Sequence, residues 1–149
     1  MEVAIVFASM TGNTEEMAEI IESKVGSLGV PVSAFQIDFD DIEAADLTRY
    51  DAILLGTYTW GDGDLPFEIE DFYDNLEDVD LTGKKIALFG SCDSFYPEYG
   101  AAIDTMGERF KAIGAEIVLD YLKVDLAPEL EDVKRCEDFA EAFVDKLNK

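Results

Sequence analysis

The sequence predicts a three-layer α/β sandwich, a parallel sheet with helices packed on both faces. Three observations carry that expectation. Short runs of consecutive apolar residues recur along the chain, as in parallel strands buried on both sides. Between them, apolar residues return at intervals of three and four, as on one face of an amphipathic helix. The two patterns alternate through all 149 residues without a repeat, a linker or a low-complexity segment. That makes one domain, residues 1–149, with a full core and right-handed crossovers.

Residues 3–8, Val-Ala-Ile-Val-Phe-Ala, are the first expected strand. A helix from about residue 13 to 28 follows, with Met17, Ile20, Ile21, Val25 and Leu28 on one face; Gly29 caps it and Pro31 stops it. Residues 32–37 alternate in polarity and read as a strand at the edge of the sheet. The acidic stretch 38–49 has room for one or two short helical turns. Residues 51–56 form a third strand, whose apolar centre argues for a central place. Ile69, Phe72, Tyr73 and Leu76 then sit at helix spacing. Residues 86–90 are the fourth strand, and a helix over about 100–113 shows Ile103, Met106, Phe110 and Ile113. Residues 117–124 make the fifth strand, and Val133, Cys136, Ala140, Phe143 and Leu147 mark the face of a last helix.

Composition removes several functions. A net charge of -23, from 34 acidic against 11 basic residues, disfavours nucleic acid and anionic membranes, because counterion release needs protein cations. The same charge suits docking onto basic patches of partner proteins. With no histidine, the common general base, Ser-His-Asp triads and most zinc sites are absent. The Asp-rich stretch 38–46 lacks the glycine of a calcium loop. Cys92 and Cys136 are too few for a disulfide framework or an iron–sulfur cluster, and a reducing cytoplasm is the expected setting. No apolar stretch has the length of a membrane span, and the first residues lack the basic region of a secretory signal.

In such sheets ligands bind beyond the carboxyl ends of the strands. Three loops there stand out. The first, Ser9-Met10-Thr11-Gly12-Asn13-Thr14, joins a strand to a helix. A helix start presents N–H groups without internal partners, and the macrodipole adds partial positive charge, so the loop suits an anion. Hydroxyl and amide donors complete a cradle, while the lysine of a nucleotide-triphosphate loop is missing. One terminal phosphate held by neutral donors is the expected occupant. The second loop, residues 57–66, reads Thr57-Tyr58-Thr59-Trp60-Gly61-Asp62-Gly63-Asp64-Leu65-Pro66 and holds the single tryptophan. The third, residues 91–100, places Phe95, Tyr96 and Tyr99 among acidic residues. Two aromatic loops beside a phosphate cradle suggest a flat ring held between side chains.

At these residues the chain resembles the flavodoxins, in their short-chain bacterial form. The Ser9-x-Thr11-Gly12-Asn13-Thr14, Thr59-Trp60-Gly61-Asp62 and Gly90-Ser91-Cys92-Asp93-Ser94-Phe95-Tyr96 segments are similar to that family's three flavin-mononucleotide loops. The resemblance covers the whole chain, and no insertion of roughly twenty residues interrupts its fifth strand. It implies a sheet in the order 2-1-3-4-5 and FMN as cofactor. Ser9, Thr11, Asn13 and Thr14, with the backbone of Met10 and Gly12, would hold the 5′-phosphate. Thr57, Tyr58 and Thr59 would border the ribityl chain and ring. Trp60 would cover the inner ring face and Tyr96 the outer one, with Tyr99 as its rival. Asp93 would accept from the pyrimidine N3–H, backbone N–H groups near Cys92 and Asp93 would meet O2, and Ser91 starts this loop. Cys92 would be a passive wall of the pocket and Cys136 part of the core.

The resemblance further implies a low-potential one-electron carrier shuttling between semiquinone and hydroquinone, with no substrate turnover of its own. In the family, the peptide after Gly61 turns over on reduction, which glycine permits. Asp62, Asp64, Asp93 and Glu98 would repel the charge of the fully reduced ring. At about 10 Å and an effective dielectric of about 40, each carboxylate contributes about 0.8 kcal/mol, or about 35 mV. An NADPH-linked flavodoxin reductase would load such a monomer, and acceptor enzymes with basic faces would unload it. The alternative is a flavodoxin-like NAD(P)H-dependent flavin or quinone reductase, for which these loops carry no basic residue to meet a nucleotide's extra phosphate. A signalling receiver domain would need an aspartate where Gly56-Thr57 stands and paired acids where Ser9-Met10 stands; Lys123, after the fifth strand, is a superficial match only.

Overall fold

The computed structural model describes residues 1–59, 63–93 and 99–148. Strands β1 (Val3–Phe7), β2 (Val32–Gln36), β3 (Ala52–Gly56) and β4 (Lys85–Cys92) run parallel, in the lateral order β2-β1-β3-β4. The position beyond β4 is shared by β5 (Glu116–Ile117) and β6 (Leu122–Asp125), each parallel to it. Helices α1 (Asn13–Ser27) and α4 (Leu130–Leu147) cover one face, and α2 (Phe67–Leu76) and α3 (Ala101–Ala112) the other.

Strand alternation divides the core into two halves. Val3, Ile5 and Phe7 of β1 point toward α1 and α4, where they meet Met17, Ile21 and Phe143. Ala4 and Val6 point the other way, toward Ile69 and Leu76 of α2 and Met106 and Phe110 of α3. The same split separates Leu54 from Ile53 and Leu55 on β3. Burial on both faces is why these strands read as unbroken apolar runs. β2 is the edge strand, and none of its residues is fully buried, as its alternating sequence indicates. The acidic stretch yields a single 3₁₀ segment, Ala44–Arg49.

Two expected strands differ from the structure. β4 runs to Cys92 instead of stopping at Gly90, because β6 continues its ladder through Phe89↔Leu122 and Cys92↔Asp125. The fifth strand is interrupted. β4 has two residues, Ala87 and Leu88, between its pairings with β5 and β6, while the opposite side has the four residues 118–121. Val118 N–H still donates to Ile86 O at 3.1 Å, Val118 and Leu119 pack against the α1 and α4 half of the core, and Tyr121 lays its ring against Gly107 of α3.

Candidate cofactor site

All three loops singled out in the sequence leave the sheet at the carboxyl ends of β1, β3 and β4. The ladder continues past the strand ends as Ala8 N–H donates to Gly56 O at 3.0 Å and Thr57 N–H to Phe89 O at 3.1 Å. These bonds hold the loop starts side by side.

In the first loop Gly12 precedes α1 with φ of 91°, in the left-handed region that side chains disfavour. No protein atom lies within 4 Å of where its Cβ would stand, so backbone conformation and not space selects glycine. Glu16 N–H closes the first helical bond on Gly12 O at 2.9 Å, and Glu15 N–H donates to Ser9 Oγ at 3.2 Å. Ser9 thereby keeps its own hydroxyl proton. Among the described residues, the N–H groups of residues 10–14, the Thr11 hydroxyl and the Asn13 amide have no protein partner. N–H groups left without a partner at and before the start of a helix are of the kind that can hold an anion. Gln36 Nε2 donates to Ser9 O at 3.4 Å and ties this loop to β2.

Thr14 is set deeper, with 1% of its surface exposed. Its Oγ1 lies 2.8 Å from Ser91 Oγ and accepts the Ser91 N–H at 3.3 Å. Ser91 is two residues beyond Phe89, the last β4 residue paired with β3. The Thr14 hydroxyl takes over where the ladder ends and couples the first loop to the third.

The second loop spends its hydroxyl groups on the protein. Thr57 Oγ1 donates to Tyr58 O at 2.9 Å, and Tyr58 Oη donates to Glu68 Oε1 at 2.5 Å. Burial and the Glu68 carboxylate push the Tyr58 phenol well above its ordinary range. Thr59 Oγ1 accepts the Ala102 N–H at 3.3 Å and so caps α3, whose own N-cap residue, Gly100, supplies no side chain. Contacts from Thr57 and Tyr58 to a ligand would therefore run through the backbone. Trp60, Gly61 and Asp62 lie outside the described residues, as do Phe95, Tyr96 and Glu98 of the third loop.

In the third loop Ser91 and Cys92 belong to the end of β4, and Asp93 and Tyr99 are half-buried. Leu126 N–H donates to Cys92 O at 2.8 Å. A residue the sequence passed over stands here. Lys123, on β6, places Nζ 3.4 Å from Tyr99 O and 3.0 Å from Asp104 Oδ1. The third loop thus has a cation against it, although its own segment carries none. No local signal marks it, because β6 brings it from 24 residues away.

Burial pushes the Cys92 thiol up to about 11 and the Cys136 thiol to about 12. Both therefore stay protonated and poorly nucleophilic. At about pH 8, iodoacetamide is expected to leave both untouched in the folded protein and to modify both in urea, read by intact mass. Rapid labelling without denaturant would contradict the closed packing around either sulfur. The raised values also set a sign for stability. The thiols' contribution is intact below their ordinary value of 9.0 and declines as pH rises toward 11 and 12, where only the unfolded chain ionises freely.

Comparison with known proteins follows the same geometry. The flavodoxin family model matches residues 5–139. The chain is 42% identical over 149 residues to probable flavodoxin 1 of Bacillus subtilis (strain 168), covering 97% of this chain and 93% of that one. The crystal structure of oxidised flavodoxin 1 from Bacillus cereus superposes with a TM-score of 0.94 at 50% identity, covering 97% and 98% of the two chains. The flavodoxin of Streptococcus pneumoniae TIGR4 gives a TM-score of 0.93 at 43% identity, covering 98% and 99%.

Proposed function

Because the chain belongs to the flavodoxin family, whose members are FMN-binding electron-transfer proteins, we propose that it is a low-potential carrier. In this reading it moves one electron at a time between an NADPH-linked reductase and acceptor enzymes. The observation that carries the reading is the run of N–H groups over residues 10–14 without a partner among the described residues, centred on left-handed Gly12. It offers neutral donors for one phosphate and no lysine for a second. Bound FMN would supply the redox chemistry. The residues of this chain would bind and tune it: Ser9, Thr11, Asn13 and Thr14 at the phosphate, Trp60 with Tyr96 or Tyr99 at the ring faces, Asp93 at the ring edge.

Surface character supports protein partners. Of the seven large apolar residues left exposed among the described residues, Met10, Phe39, Phe67, Leu126 and Leu130 follow the carboxyl ends of strands, while Met1 and Leu28 do not. They stand within a surface of net charge -23. Apolar contacts inside an acidic field fit a basic-faced partner, with the charge raising the encounter rate. The two thiols, both buried and unbridged, suit a reducing cytoplasm. Among the described residues no helix is long and apolar enough to cross a membrane.

Stepwise anaerobic reduction of the FMN-loaded protein, followed by visible absorption, tests the carrier reading. Two resolved one-electron stages are expected, with an intermediate spectrum unlike either end state. Direct bleaching in one two-electron stage, together with NADPH oxidation by the isolated protein, would replace it with a flavin or quinone reductase.

A further inference from the structure

The loop between β3 and α2 is held at both ends. Its last residue, Pro66, is buried, and Ile69 N–H donates to Pro66 O at 3.0 Å to start α2. Its first residues are tied by their own side chains to two different helices. Thr59 is fixed to α3 through Ala102 N–H. Tyr58 reaches ten residues ahead to Glu68, in the first turn of α2. The Tyr58 ring packs at the margin of the core half formed by α2 and α3, so its position follows the Oη anchor.

The pair has the properties of a permanent clamp. With the phenol pushed above its ordinary range, Tyr58 remains a donor at neutral pH. Glu68 is half-buried and offers a carboxylate oxygen at 2.5 Å, a charge-assisted bond. Among the described residues, Tyr58 is the hydrogen-bond partner of the Glu68 side chain. That partner is the second residue of a candidate cofactor loop, beside Thr59.

We propose that Glu68 is a positioning residue: by accepting the Tyr58 hydroxyl it fixes the start of the loop carrying Trp60, and thereby the fit of that loop to bound FMN. The proposal rests on the FMN-carrier reading above. Glu68 acts through Tyr58 and touches no ligand itself, so its loss loosens the ring contacts while leaving the phosphate cradle in place.

The test uses the full chain and FMN as the probe. Glu68→Ala and Tyr58→Phe should each weaken FMN binding about tenfold, because each removes the same charge-assisted bond. The double variant should be no weaker than either single one, the non-additivity expected of two groups in direct contact. Glu68→Gln, which keeps an oxygen acceptor, should recover most of the affinity. The separation between the two one-electron potentials should change in Glu68→Ala and return toward wild type in Glu68→Gln. Riboflavin, which lacks the phosphate, should lose affinity by the same factor in Glu68→Ala, since the ring contacts carry the effect. Unchanged FMN affinity in both single variants overturns the proposal. So does a Glu68→Gln variant that behaves like Glu68→Ala, which would assign the effect to charge. If the wild-type chain fails to bind FMN, the carrier reading falls first and this proposal with it; binding by wild type with indifferent variants removes the clamp alone.

Discussion

Gly90→Ala is expected to lower the melting temperature of this protein by about 10 °C or more. A Cβ at Gly90 would stand 1.8 Å from the backbone oxygen of Thr57 and 2.9 Å from Ile103 Cδ1. Overpacking a core side chain costs about 1–3 kcal/mol when side chains can rearrange. Here the obstacle is a main-chain carbonyl whose residue is itself bonded to β4, through Thr57 N–H and Phe89 O. Relief would require β4 and the start of the second loop to part. The cost should therefore exceed about 3 kcal/mol and should also impair FMN binding, because the same movement opens the site. Thermal unfolding followed by circular dichroism measures the first effect, and a shift of only a degree or two would mean that the two segments separate freely.

Thr14→Val should damage stability and cofactor affinity together. The substitution keeps the shape of a side chain that is 1% exposed and removes its hydroxyl. Ser91, itself buried, then loses the partner of both its Oγ and its N–H. Leaving a buried polar group unpaired costs about 1–3 kcal/mol, so a loss of about 2–4 kcal/mol is expected for the pair. The unfolding midpoint in urea should fall accordingly. If Thr14 belongs to the proposed phosphate cradle, FMN affinity should fall about tenfold or more, each tenfold corresponding to about 1.4 kcal/mol. Thr14→Ser retains the oxygen and should recover most of both quantities. A valine variant with wild-type affinity would remove Thr14 from the cradle and leave it a purely structural link between the first and third loops.

That link also shows where the sequence was legible. Periodicity located every helix and four of the five strand positions, because apolar runs and helical stripes report burial directly. The carboxyl-end loops were found by composition, since Gly12, Trp60 and the hydroxyl-rich 9–14 segment differ from the elements around them. Ser91-Cys92 was misread as loop because a serine and a cysteine looked like the end of an apolar strand. Only a partner 77 residues away, Thr14, makes a buried serine acceptable at that position. Lys123 escaped for the same reason: its relation to Tyr99 exists only after β6 pairs with β4. Thr57, Tyr58 and Thr59 are legible as a polar run, yet the use of the Tyr58 and Thr59 hydroxyls depends on helices that start later in the chain. Sequence patterns report which surfaces are buried, while long-range polar pairing is settled by the fold.

The interrupted outer strand has a consequence for how this chain can change length. Between its two pairings with β4, the outer strand carries two more residues than its neighbour, and two is the period of a strand. The offset therefore leaves every side chain on its proper side: Ile117 packs with Ile86 in one half of the core, and Leu122 with Phe89 in the other. A surplus of one would have turned Leu122 and Val124 outward. The stretch at residues 118–121 works as an expansion joint. An insertion there in even steps is expected to keep the facing of Leu122 and Val124, whereas trimming would remove the core contacts of Val118, Leu119 and Tyr121.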